Sequence, residues 1–276
     1  MAEREAEEGA AALAAEIGFI TGTGLYALEG GNVQGLEVTS GFGHAVVSLM
    51  ELGGKKVAHI ARHGAGHRLL PNMINYRANM WAMMDMGVRL VVGTTVCGIL
   101  RPEVPLGRLI LFDDLFFPEN RLPDGSACTM YTEPGDPRRG HFIGQPFSPG
   151  VRELIRSSAE ALGGGMVDGG VYAQVSGPRF NTPAEIRFLQ GVGVLAISQT
   201  AAAEAVLAAE LEIPYALVGF GVDYAAGVKE PPTAPEELRA NLEAAGREFS
   251  RLLAEIARRS EPESVRFDSG VVFRFE

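Results

Sequence analysis

Two periodicities alternate along this chain, and that alternation limits its possible folds more than any other feature. Short apolar runs of strand type occur at 17–20, 45–52, 56–61, 90–94, 109–112, 171–175, 194–197 and 215–220. They are rich in the branched and aromatic side chains that suit a pleated surface. Between several of them the pattern is helical, at 75–86, after Thr182, at 201–211 and from Thr233 to about Arg259. Thr182-Pro183-Ala184-Glu185 carries a capping hydroxyl, a proline at the first turn and a glutamate three residues on, and Thr233-Ala234-Pro235-Glu236 repeats that logic. Parallel strands need long crossovers, which helices fill, so the expectation is an α/β protein. More specifically, it is a single-domain three-layer sandwich with a mixed, largely parallel central sheet flanked by helices. The segment 113–149, rich in Pro, Gly, Asp and Arg and without periodicity, reads as a long excursion.

With 276 residues, 46% of them hydrophobic, the chain can bury a full core. That core is expected over 17–260, after an acidic, helical or frayed extension at 1–16 and before a tail at 261–276 whose apolar and aromatic content suggests docking on a subunit surface. A formal net charge of −10 argues against nucleic acid as a partner. Cys97 and Cys128 form no CxxC pair and fit a reducing compartment. No apolar run approaches the roughly 20 residues of a membrane span, and glutamates at 3, 5, 7 and 8 stand where a signal peptide would be basic. A soluble, cytoplasmic protein with no metal site is the expectation.

Positive charge in this acidic chain concentrates in Ala61-Arg62-His63-Gly64-Ala65-Gly66-His67-Arg68, at the tip of a strand. Arginine offers a planar fork of donors to an oxyanion, and histidine adds one tuned near neutral pH. Three other strand ends carry hydroxyls, the first two with glycines as well: Thr21-Gly22-Thr23-Gly24, Thr94-Thr95-Val96-Cys97-Gly98 and Ser198-Gln199-Thr200. Ligands of α/β sheets sit beyond the carboxyl ends of strands, so Thr23, Arg62, His63, Thr95 and Thr200 are expected to converge on one small anion. The helix after Thr200 would add backbone N–H groups and its positive end. The plainer alternatives are a solvated basic loop and ordinary capping threonines. A dinucleotide fingerprint would need glycine where Ala27 stands.

Gly177-Pro178-Arg179-Phe180 can present Phe180 as a flat surface for a planar ring, with Asn181 beside it as donor and acceptor. Asp223, after the apolar run 215–220, is the best candidate for a general acid or base, since burial there would raise its proton affinity.

Together these stretches, with Asn75-Tyr76-Arg77-Ala78-Asn79-Met80-Trp81 and Glu204, resemble the trimeric purine nucleoside phosphorylase and 5′-methylthioadenosine phosphorylase family over residues 17–258. The resemblance implies attack of inorganic phosphate on C1′ of a purine nucleoside, without metal or organic cofactor, in a homotrimer or a dimer of trimers. It implies that Thr23, Arg62, His63, Thr95, the Val96 amide and Thr200 hold phosphate, with Arg62, His63 and Asp223 as catalytic groups. Cys97, Gly98, Phe180, Asn181 and Asp223 would bind the base. Gln199, Pro235 and, from a neighbouring subunit, His141 would face the sugar or its 5′ group.

The chain matches neither of the family's base-reading patterns. Members cleaving inosine and guanosine place glutamate after the aromatic and asparagine at the Asp223 position. Members acting on methylthioadenosine place serine at the first and have Asp-Tyr-Asp where this chain reads Asp223-Tyr224-Ala225. A carboxylate accepts from an exocyclic amine, so the favoured expectation is phosphorolysis of 5′-methylthioadenosine, and Pro235 in place of a histidine for the 5′-hydroxyl points the same way. The alternatives are a 6-oxopurine nucleoside phosphorylase, including one acting on 5′-methylthioinosine, and a purine-binding protein impaired in catalysis by Gln199 and Ala225.

Overall fold

The structure, a computed structural model, describes residues 14–274. The acidic stretch 1–13 therefore lies outside the described residues, and with it most of the expected extension. Thirteen strands and five helices follow: β1 Ile17–Thr21, β2 Gly31–Ser40, β3 Gly43–Leu52, β4 Lys55–Ala61, α1 Tyr76–Asp85, β5 Leu90–Ile99, β6 Leu109–Leu111, β7 Asp114–Phe116, β8 His141–Gly144, α2 Pro149–Ala161, β9 Met166–Asp168, β10 Val171–Gln174, α3 Pro183–Gly191, β11 Val194–Ser198, α4 Ala202–Glu210, β12 Tyr215–Tyr224, α5 Pro235–Arg259 and β13 Gly270–Phe273.

Eleven strands form one mixed sheet whose main path runs β2-β3-β4-β1-β5-β11-β10-β7, with β12 on β5 and β6 and with β9 on β6. Strands β4, β1, β5 and β12 pair in parallel, as do β11, β10 and β7. Apolar side chains of α1 and α4 fill one face, around Tyr76, Met80, Met83 and Leu207. Those of α2 and α5 fill the other, around Ile155, Phe249, Leu252 and Ile256. A smaller cluster lies under α3. The three-layer sandwich is as expected.

The sheet forks at β5. Pairing with β1 ends at Gly93, and pairing with β11 on the other branch begins at Gly98. Between these points, Thr94 to Cys97 keep only β12 as a strand partner. Such a branch point is where an α/β sheet opens a crevice.

Four local expectations need correcting. β2 was not anticipated: it is an edge strand exposed along most of its length, so its sequence carries little burial pattern. The excursion at 113–149 contains β7 and β8, both short. The tail does dock, but on its own chain, where β13 pairs antiparallel with β8 and Arg274 reaches Glu212. The last helix is capped by Ala234 without a side-chain bond, and the Thr233 hydroxyl instead accepts from the Tyr224 N–H at 3.3 Å. The capping box at Thr182 and Glu185 is present as read.

Candidate active site

A cavity of about 610 Å³ opens at the fork, lined from one end to the other by Thr23, His63, Thr95, Thr200, Gln199, Phe180 and Asp223, among others. Thr23 is carried by a turn braced from two sides. Below it, buried Thr21 donates its hydroxyl to Leu25 O at 2.6 Å and therefore accepts from His59 Nε2 at 2.7 Å, which fixes the imidazole proton on that nitrogen. Burial lowers the His59 pKa to about 4, so the ring is neutral at pH 7. Above the turn, α5 approaches so closely that a Cβ at Gly246 would lie 2.5 Å from Gly24 O. Glycine inside a helix costs about 1 kcal/mol relative to alanine, and this contact accounts for it.

Arg62 lies behind the cavity wall rather than on it. Fully buried, it grips Glu204 through Nε and through Nη2, the latter at 2.8 Å. It also donates to Thr94 O at 2.9 Å and to Ile20 O at 3.5 Å. The guanidinium thereby ties β1 to β5 at the point where their pairing ends. Four of its five N–H donors are used, leaving one on Nη1. Burial works against its charge, but Glu204 outweighs burial and the pKa is raised. Glu204 also accepts from Tyr215 at 3.0 Å, through a gap that only glycine at 93 leaves open. The sequence placed the Arg62 charge directly at the anion, whereas the structure neutralises it with Glu204.

His63 departs from expectation in the same direction. Its Nδ1 donates to Leu69 O at 2.9 Å, and burial followed by the nearby Arg62 charge lowers its pKa to about 4. At pH 7 it is neutral, so Nε2 is an acceptor rather than the donor the sequence suggested. It stacks on His67 at 4.2 Å, and His67 is held by Tyr26 at 2.9 Å.

At the third strand tip Thr95 Oγ1 meets Ser198 Oγ at 2.9 Å, and Tyr172 joins Ser198 and the Thr200 carbonyl. Ser198 stands within a hydroxyl-bearing strand end but is given no role by the sequence, and Tyr172 is not singled out by it. Nothing in their spacing distinguishes them from strand residues, since β10 and β11 bring them together across 26 positions. The first turn of α4 is less open to an anion than expected: Gln174 Oε1 accepts from Ala202 N at 2.8 Å and from Ala203 N at 3.3 Å. Thr200 itself lines the cavity.

The rest of the lining is largely apolar, with one carboxyl, Asp223. Asp223 lies beside Gly98, with its Oδ1 3.4 Å from where a Cβ there would stand. Burial raises the Asp223 pKa to about 6. Phe180 lines the mouth but is 85% exposed. Asn181 also lines it while donating to Glu185 at 3.2 Å. Cys97 is a buried part of the wall. Two expected 5′ residues lie off this cavity. Pro235 begins α5, and Leu238 and Leu242 from the next turns line the wall in its place. His141 sits on β8, paired with Phe273 of the tail.

These features define an α/β protein whose ligand crevice lies at the carboxyl ends of its parallel strands. Residues 16–258 match the model of the phosphorylase superfamily. The chain is 33% identical to a 6-oxopurine nucleoside phosphorylase of Pyrococcus furiosus, over 77% of this chain and 80% of that protein. It is 34% identical to an S-methyl-5′-thioadenosine phosphorylase of Hyperthermus butylicus, over 82% and 81%. It is 36% identical to a Methanothermobacter thermautotrophicus protein named "Probable S-methyl-5'-thioinosine phosphorylase", over 80% and 76%. A methylthioadenosine phosphorylase from an antarctic soil metagenomic library has the same fold, with a TM-score of 0.80 at 24% identity, over 94% and 93% of the two chains. The chain belongs to the purine nucleoside and methylthioadenosine phosphorylase family, and it is a pentosyltransferase.

Proposed function

We propose that this enzyme cleaves 5′-methylthioadenosine with inorganic phosphate, giving adenine and 5-methylthioribose 1-phosphate. The observation that carries the reading is one cavity lined both by the hydroxyl residues Thr23, Thr95 and Thr200 and by a single carboxyl, Asp223, whose burial raises its proton affinity. Phosphate sits among Thr23, Thr95, the Val96 amide and Thr200. Neutral His63 accepts a hydrogen bond from a protonated phosphate oxygen through Nε2, and the remaining Arg62 donor steadies the anion from behind. The phosphate charge then lies beside the sugar as its C1′ turns cationic.

Asp223 suits adenine. In its neutral form the hydroxyl donates to N7 of the departing base while the carbonyl oxygen accepts from the 6-amino group, one donor and one acceptor against their complements. Phe180 covers the ring, Asn181 meets its edge, and Cys97 and Gly98 form the floor. Leu238 and Leu242 offer an apolar surface that favours a methylthio group over a hydroxyl. A neighbouring copy in a homotrimer brings His141 to this 5′ end.

A second reading, a 6-oxopurine or 5′-methylthioinosine substrate, draws support from the names of two relatives. It also draws on Asp223, whose proton near neutral pH would serve O6 as a donor. Phosphate-dependent release of adenine from 5′-methylthioadenosine against hypoxanthine from 5′-methylthioinosine separates the two. Adenine in excess is expected; hypoxanthine alone would defeat the first reading.

A further inference from the structure

Helix α4 follows directly on a cavity residue, Thr200, and has no cap of its own. Its N-cap is Ala201, which makes no side-chain bond, so the unpaired N–H groups of the first turn need an acceptor from elsewhere. Gln174, the last residue of β10, supplies it, since Oε1 accepts from Ala202 N at 2.8 Å and from Ala203 N at 3.3 Å. Gln174 is half-buried and stands behind the cavity wall, which its neighbour Val175 helps to line. Ala201 is held at φ 80°, and among the described non-glycine residues with positive φ it alone is fully buried. An alanine in that conformation is strained and persists only where its surroundings fix it. Immediately before it, the Thr200 carbonyl accepts from Tyr172. The chain at 200–203 is thus tied to β10 on both sides of the strained residue, by Tyr172 before it and by Gln174 after it.

We propose that Gln174 is a positioning residue for the phosphate seat: capping α4 from the neighbouring strand, it holds Ala201 in its left-handed turn and so sets where the Thr200 hydroxyl stands. The same two bonds occupy amides that an anion would otherwise take. Phosphate is then left to the hydroxyls and meets the helix end only through its field. A neutral cap suits this place, because a carboxylate of the same shape would hold the turn while setting a negative charge behind the anion. Gln174 acts on phosphate through Thr200, so that part of its role rests on the proposed function, whereas its role as a cap does not.

Gln174→Met keeps the length of the side chain and removes the acceptor. The first readout is phosphate affinity, taken as KM for phosphate at saturating 5′-methylthioadenosine and as Kd for inorganic phosphate by calorimetry without nucleoside. Both should weaken by about 3- to 10-fold, the range for a lost neutral hydrogen bond, while KM for the nucleoside moves by less than about 2-fold. Ala201→Gly in the same background is the rescue. Glycine takes positive φ at no steric cost, so the turn no longer needs its clamp and phosphate affinity should return to that of Ala201→Gly alone. The second readout is amide hydrogen exchange at 200–203 in ligand-free enzyme. It should quicken in Gln174→Met and stay slow in Gln174→Glu, which keeps the acceptor but loses phosphate affinity through its charge.

Phosphate affinity in Gln174→Met within about 2-fold of wild type, an equal rise in KM for the nucleoside, or a loss that Ala201→Gly does not restore would overturn the positioning role. Exchange as slow in Gln174→Met as in wild type, or as fast in Gln174→Glu as in Gln174→Met, would overturn the cap. Should the wild-type enzyme bind no phosphate and release no purine from any nucleoside in its presence, the proposed function fails and the link to phosphate falls with it. Exchange would still decide the cap.

Discussion

Replacing Asp223 by asparagine should make the protein more stable and the enzyme slower, and the size of the gain follows from the burial of one carboxyl. The ordinary pKa of 3.8 rises to about 6 in the fold, and burial is the cause. Between those values the folded state holds a proton that the unfolded chain has released. Stability therefore falls as pH rises through that window and stays lower above about 6. At 1.36 kcal/mol per pH unit the gap amounts to about 3 kcal/mol, and partial solvent access reduces it to about 2 kcal/mol. Asparagine has the same shape and no charge to desolvate. The variant should melt about 4–8 °C above wild type at pH 8, at 2–4 °C per kcal/mol for a domain of this size. Near pH 4 the difference should vanish. Paired thermal melts without phosphate read this directly, and both proteins share every other titrating group. A variant no more stable than wild type at pH 8, or a gain that does not change with pH, would refute the assignment. Activity on 5′-methylthioadenosine should drop in the same variant, because an amide cannot give N7 a proton.

In wild type, kcat/KM for 5′-methylthioadenosine should fall as pH rises above about 6, following loss of the Asp223 proton, and a flat profile would count against its role as an acid. Glu204→Gln leaves the buried Arg62 without its counter-charge and should cost about 3–5 kcal/mol, measured by denaturant unfolding at pH 7. Gly246→Ala should push α5 off the Thr23 turn and raise the KM for phosphate, despite alanine's better helix propensity. His59 stays neutral down to about pH 4, whereas an unfolded histidine protonates near 6.5, so the fold loses up to about 3 kcal/mol as pH falls from 6.5 to 4. His59→Phe should flatten that part of the acid-stability curve.

The layered fold was readable because β1, β4, β5 and β12 are buried runs of branched residues and the helices between them keep a clear period. β2 was not, since a strand exposed on an edge has no side chains that must be hidden. The clustering of Thr23, His63, Thr95, Thr200 and Asp223 around one cavity follows from a rule about strand ends, which needs only the order of elements. The state of Arg62 does not. Its partner lies 142 positions away, and only the packing of α4 against the sheet shows that the guanidinium is paired rather than poised. His63 is similar: its neutral form depends on Leu69 O and on burial, neither of which has a motif. Pro235 misled because a helix start fixes a position along the chain and not the face that meets the cavity, which Leu238 and Leu242 occupy.

The gap between β1 and β11 has rims of backbone, stitched to the rest of the sheet by ladder bonds, and Arg62 ties its β1 rim to β5. Widening it means unzipping the molecule's most deeply buried strands, so the seat beneath the hydroxyls is as stiff as the interior itself. Phe180, Asn181 and Gln199 ride instead on turns and strand ends around its mouth. On the proposed function, drift at these outer positions retunes which purine is welcomed, while the residues proposed to sever the bond stay anchored in architecture that tolerates almost no adjustment.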